Sequence, residues 1–198
     1  MYNNTIKFLL SLLIGIISMA GDKLLENENK VFRAIVDNAI HSIIGGLSWI
    51  LILVLSNEII TKNVCSIFLS MIVSSLIDLD HFIEARDWRL TAATSLKKRP
   101  FLHCTTLPIM IWLIFLLISR ILHNSKLASF SWIILTSFLS HHIRDGTRRG
   151  LWLAPLGSTP NIPYYLYILL DMTLPFAIHI AIISTNVYSK NHNIINIV

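Results

Sequence analysis

The sequence predicts an all-α protein, a polytopic bundle of about six membrane-spanning helices that forms one integral-membrane domain over residues 1–198. Three observations carry that prediction. Hydrophobic residues make up 54% of the chain and charged residues only 14%, and the mean hydropathy of +0.66 is too high for a soluble globule of this length. The apolar residues gather in six runs, most of them near the ~20 residues needed to cross hydrocarbon. The basic residues fall mainly in the short breaks between the runs.

The first run, Ile6 to Ala20, is slightly short. Lys7 ahead of an apolar stretch that ends in the small residues Ser18 and Ala20 also fits a cleavable leader. The break that follows, Asp22 to Arg33, is rich in Glu, Lys and Leu, so it is expected to continue as helix or to lie at the interface. Its side chains suggest no chemistry. The second and third runs are Ala34 to Leu55 and Val64 to Ile83, separated by Ser56 to Asn63. A polar stretch from Glu84 to Thr106 leads to the fourth, Leu107 to Leu122. The fifth, Leu127 to His142, is the shortest convincing one, and the sixth, Ile162 to Thr185, follows a Gly-, Arg- and Pro-rich loop from Ile143.

Charge sets the orientation. The first, third and fifth breaks hold eleven of the sixteen Lys and Arg residues, which places those breaks in the cytoplasm and both termini on the far side. A cleaved leader would instead send Lys23, Lys30 and Arg33 across the membrane, so the spanning reading is preferred. The net charge of +5 belongs to this topological pattern and not to nucleic-acid binding. Cys65 and Cys104 form no framework and no CxxC spacing, so no disulfide is expected.

Under this topology the informative residues share one leaflet. Asp37 and His41 open the second helix, Asp78-Leu79-Asp80-His81 close the third, His103 precedes the fourth, and His141-His142 with Asp145 close the fifth. Asp37 and His41, Asp78 and His81, and His141 and Asp145 are three or four residues apart, which puts each pair on one helix face. His141 and His142 face about 100° apart, so only one of them belongs in a first shell, and the spacing to Asp145 favours His141. Ionisable groups at membrane depth are costly unless they pair with one another or hold a cation.

The expected ligands are His41, Asp78, His81, His103, His141 and Asp145, a donor set that suits a divalent metal, zinc ahead of iron and manganese. A metal-free hydrogen-bonded cluster of the same residues stays open. Asp171, inside the sixth run, is expected either behind a histidine or in an ion pair with an arginine. Arg148 and Arg149 fit either a grip on a phosphate or topological anchors at anionic headgroups. Trp152 suits a loop returning to the bilayer surface.

The stretches Ser75-Leu76-Ile77-Asp78-Leu79-Asp80-His81, Lys98-Arg99-Pro100-Phe101-Leu102-His103 and His141-His142-Ile143-Arg144-Asp145-Gly146-Thr147 resemble the bacterial LexA-regulated membrane-bound metal-dependent hydrolases. Arg99 to Cys104 and Arg144 to Trp152 are more closely similar to the eukaryotic transmembrane protein 267 family. The bacterial resemblance implies a helical membrane protein with a metal centre like that of zinc-dependent phospholipase C, hydrolysing a phosphoester or related bond. It assigns Asp78, Asp80, His81, His103, His141 and Asp145 to that centre. One departure stands out: the bacterial pattern has His-Arg where this chain has Lys98-Arg99, and a protonated lysine binds no metal.

The resulting expectation is a multi-pass protein of an internal membrane with a cytosol-facing His/Asp metal site of hydrolase ancestry, acting on a lipid phosphoester. In it Asp80 takes the proton from water, and Arg148 or Arg149 holds substrate charge. The alternative is a non-catalytic membrane protein whose cluster is structural or partner-binding. A transporter is disfavoured, because inverted repeats and helices broken by Gly or Pro at mid-membrane are missing.

Overall fold

The computed structural model describes residues 2–185. The chain folds into α1 (Asn4–Leu24), α2 (Lys30–Leu55), α3 (Val64–Leu76), α4 (Leu79–Ala85), α5 (Leu90–Ala93), α6 (Thr106–Ile121), α7 (Ser125–Arg149) and α8 (Tyr164–Thr185), with a small hairpin of β1 (Trp152–Leu153) and β2 (Gly157–Ser158) between the last two. The all-α membrane class is the observed one. Four helical stretches among the described residues are long and apolar enough to cross a membrane: α1, α2, α3 continued through α4, and α8. The C-terminal end, with Lys190, lies outside the described residues.

Local chemistry starts the long helices where they begin. The Asn3 side chain accepts from the Thr5 N–H, Asn29 from Val31 and Phe32, and Asn124 from Leu127, each satisfying amides that the first turn leaves unpaired. The Asn29 cap draws α2 back to Lys30, four residues ahead of its apolar run, and α1 runs on to Leu24.

Two boundaries differ from expectation. The third run is not one rod: α3 ends at Leu76, the chain turns through Ile77 and Asp78, and α4 restarts at Leu79, so the acidic motif lies at a bend. The fifth run does not stop at His142. α7 continues to Arg149, which places Arg144, Asp145, Arg148 and Arg149 on the helix and not in a loop. It falls outside the helices apolar enough to span on composition, yet Ser131, Thr136, Ser137, Ser140, His141 and Arg144 are all buried. These polar side chains face other helices, where hydrogen bonds replace water.

α7 is the axis of the bundle, packed by α2, α3, α6 and α8, with Trp49 and Trp132 at the centre of the apolar core. Small residues bring α2, α3 and α7 close. Ser70 Oγ donates to the Gly45 carbonyl at 2.9 Å and lies 2.9 Å from Ser137 Oγ, and a Cβ on Gly45 would collide with Ser74. Lipid and protein are equally apolar, so such close backbone approach is what holds membrane helices together. It also sets the rotation at which His41, Asp78 and His141 emerge.

Candidate metal centre

Four side chains from three places in the chain meet at one end of α7. His141 and Asp145 come from one face of α7, Asp78 from the bend between α3 and α4, and His103 from the single 3-10 turn Phe101–His103 ahead of α6. Their ligand atoms lie 3.3 Å apart for His103 Nε2 and Asp145 Oδ2, 3.4 Å for His141 Nε2 and Asp145 Oδ2, 3.5 Å for His141 Nε2 and Asp78 Oδ1, 3.6 Å for His103 Nε2 and Asp78 Oδ1, and 3.4 Å for the two Nε2 atoms. A tetrahedron with metal–ligand bonds of ~2.0–2.2 Å has edges of about 3.3–3.6 Å. Five of the six edges match those of a tetrahedral cation site.

Groups behind the two imidazoles fix their direction. His141 Nδ1 lies 3.0 Å from the Ser74 carbonyl and His103 Nδ1 3.3 Å from Asp80 Oδ2. Both partners only accept, so both Nδ1 atoms carry a hydrogen and both Nε2 atoms point at the centre, where a lone pair is free once any Nε2 proton leaves. Two lone pairs and two carboxylate oxygens at this spacing repel one another unless a proton or a cation lies among them.

The preference for positive charge is visible at His103. Burial alone pushes its imidazole down, but the carboxylates of Asp145, Asp78 and Asp80 outweigh burial and hold it up at about 11. A divalent cation satisfies the same field with two charges. The donor set therefore fits zinc, with imidazole nitrogen and carboxylate oxygen in a four-sided shell.

Of the six expected ligands, the structure brings these four together and sets His41 and His81 beside them. His41 stacks on His141 with ring centroids 3.7 Å apart, and its Nε2 lies 3.6 Å from Asp145 Oδ1, the oxygen turned away from the quartet. His81 stands on the cavity wall with Nδ1 3.3 Å from Asp80 Oδ1. His142 Nε2 donates to the Leu102 carbonyl at 2.9 Å, away from the centre, and so anchors the His103 turn. Asp80 is fully buried, and its Oδ2 also accepts the Leu102 N–H at 2.7 Å. With both oxygens turned to His103, Leu102 and His81, it sits behind the ligands and not over them, unlike the base role expected of it.

The arginines divide. Arg148 Nη1 lies 2.9 Å from Asp37 Oδ2 and 3.6 Å from Asp145 Oδ1, so its charge is met by carboxylates of the protein itself and it is not the free substrate grip expected. Arg149 is exposed at the cavity rim. Trp152 is half-buried in β1, where it lines the cavity and its carbonyl accepts from the Thr105 N–H at 2.8 Å.

Transmembrane protein 267 of Mus musculus is 37% identical to the chain over 167 residues, spanning 82% of this chain and 76% of the mouse protein. The protein of that name from Bos taurus is 36% identical over 180 residues, 87% and 81% of the two chains, and that from Xenopus laevis 34% over 170 residues, 83% and 78%. The chain belongs to the transmembrane protein 267 family. No family model and no solved structure matches it. Membership makes this a transmembrane protein, and in this member of the family the polar residues at one bundle end enclose a cavity of about 820 Å³.

Sequence reasoning missed a second polar layer. Arg144 is buried in α7, with Nη2 3.0 Å from Asp22 Oδ1 and 3.3 Å from Asp37 Oδ1. Asp22, from the break that suggested no chemistry, also accepts from the Tyr167 hydroxyl. Asp171 accepts from Ser18 Oγ at 3.0 Å and, among the described residues, touches neither a histidine nor an arginine directly; the Ser18 carbonyl accepts from Arg144 Nη1 at 3.4 Å. This layer ties α1, α2, α7 and α8 together beneath the candidate centre. Only its place next to Asp145 in the chain could have signalled Arg144, since nothing in the sequence gave its partners.

Proposed function

We propose that this family member is a metal-dependent hydrolase that opens a phosphoester at the cytosolic face of an internal membrane, with zinc held by Asp78, His103, His141 and Asp145. The observation that carries the reading is the set of 3.3 to 3.6 Å separations among the four ligand atoms. The resemblance of the Asp-x-Asp-His and His-x-x-x-Asp elements to bacterial membrane-bound hydrolases supports the reaction class.

In the reaction, water adds its oxygen to phosphorus, the bond from phosphorus to the alcohol oxygen breaks, and one proton passes from the water to the departing alcohol. A divalent cation supplies Lewis-acid polarisation of a phosphoryl oxygen and acidifies water towards neutrality. Asp80 and the Ser74 carbonyl orient the two imidazoles. His81, on the cavity wall with Asp80 behind its Nδ1, is placed to take the proton and return it through Nε2. The loop after α7 and β1 roof the site and limit bulk water.

Metal analysis of detergent-purified protein tests the proposal. About one equivalent of zinc per chain is expected from a single four-ligand shell, with loss of that metal in a His103→Ala, His141→Ala double variant. Wild-type protein without stoichiometric transition metal, or a double variant with unchanged occupancy, overturns the metal reading. A His81→Asn variant that keeps its metal is expected to lose hydrolysis of a phosphoester about 10²–10⁴-fold.

A further inference from the structure

The cavity above the four ligands has two unlike sides. One is apolar: Val31, Ala34 and Ile35 from the first turns of α2 face Phe82, Leu90 and Ala93 from α4 and α5. The α4–α5 pair packs on itself and on the end of α3, with no extended contact to α2, so the two walls are separated by a cleft. Large apolar side chains on and beside these elements are exposed: Ile35 of α2 is 65% exposed, Ile83 of α4 56% and Trp88, between α4 and α5, 78%. Trp88 stacks on Phe82 with centroids 5.9 Å apart, which joins the cavity wall to an exposed indole of the kind that anchors at the headgroup level. Water is a poor neighbour for this edge, and acyl chains are a good one.

The other side is cationic. Lys98, Arg99 and Arg149 stand at the rim, and among the described residues none of them pairs with a carboxylate. Arg99 donates to the carbonyls of Gly150 and Arg149, which carry no net charge. Lys98 therefore contributes charge at the position where the bacterial pattern has a histidine. A cationic rim and an apolar side slot match a molecule with an anionic phosphoester head and a hydrocarbon tail.

We propose that the substrate is a membrane lipid with an anionic phosphoester headgroup, that it enters sideways from the bilayer between α2 and the α4–α5 pair, and that Lys98, Arg99 and Arg149 hold its phosphate. The proposal rests on the hydrolase reading for the reaction, but its binding route stands on the cavity alone.

The test is photo-crosslinking in nanodiscs that carry phosphatidic acid with a photoactivatable acyl chain, with adducts mapped by peptide mass spectrometry. Adducts are expected on residues 31–35 and 82–93, and a matched phosphatidylcholine probe, whose headgroup has no net negative charge, is expected to label these peptides about tenfold less. A Lys98→Glu, Arg149→Glu variant is expected to show a similar drop while keeping its metal content, which also checks its fold. Adducts spread evenly over the lipid-facing sides of α1, α6 and α8, equal labelling by the two lipids, or an unchanged double variant would overturn the route. Wall-specific labelling without any turnover of phosphatidic acid by zinc-loaded protein removes the hydrolase reading and leaves the lipid site. Turnover of glycerol 3-phosphate with scattered labelling does the reverse, and points to a soluble phosphoester.

Discussion

The Nδ1 atom of His103 lies 3.3 Å from Oδ2 of Asp80, a carboxylate with no exposed surface that also accepts the Leu102 N–H. One buried acid thereby fixes both the backbone of the 3-10 turn and the ring that the turn carries. The asymmetry has a consequence for variants: an amide at position 80 can still accept from Leu102, but lacks the charge that makes the imidazole a strong donor of its lone pair.

Asp80→Asn is therefore expected to leave the protein folded and to weaken zinc binding about 10- to 100-fold, the range seen when the acid behind a metal-bound histidine is lost. Competition with a chromophoric chelator measures it. Equal affinity in the two proteins would mean that Asp80 only supports the turn.

Proton release is expected on metal binding. In the metal-free protein His103 is held up at about 11, so near neutral pH a proton must leave before its Nε2 can bind zinc. Calorimetry in buffers of different ionisation enthalpy should show about one proton released per site, and affinity should fall as pH falls. The linkage has the opposite sense for metal-free stability. A raised imidazole pKa contributes fully below its ordinary value of ~6.5, and that contribution is lost as pH rises through about 11. Thermal melts of chelator-treated protein against pH check this arm.

The buried guanidinium under the centre is expected to matter for folding and not for chemistry. Arg144→Met leaves Asp22 without its cation while Asp37 keeps Arg148 at 2.9 Å, a loss of about 1–3 kcal/mol for polar groups left short of a partner. Denaturation in detergent measures it. Adding Asp22→Asn to Arg144→Met should recover part of the loss, because one uncompensated charge is removed with it.

Gly150 ends α7 at φ 67°, and a Cβ there would run into the Thr159 carbonyl. Gly150→Ala is expected to cost about 1–3 kcal/mol through strain in this loop. Faster proteolytic nicking between residues 150 and 160, with zinc content retained, is the expected signature.

The membrane class, the six runs and the grouping of ionisable residues at one end of the bundle were legible in the chain, because hydropathy, basic breaks and three- or four-residue spacing are local properties. The sequence could say that His141 and Asp145 share a face, since 3.6 residues complete a turn whatever surrounds the helix. It could not say that α7 runs on to Arg149, because a helix made polar by buried serines and the buried Arg144 reads like a loop until its neighbours are known. Nor could it separate Asp78, His103, His141 and Asp145, which meet, from His41 and His81, which flank them. Distances between helices depend on how each is rotated and shifted against the next, and here Gly45, Ser70 and Ser137 set that register through contacts made only in the folded bundle. The chain by itself determined the donor types and the end of the bundle where they gather; the packing of α2, α3 and α7 decided which four face one point.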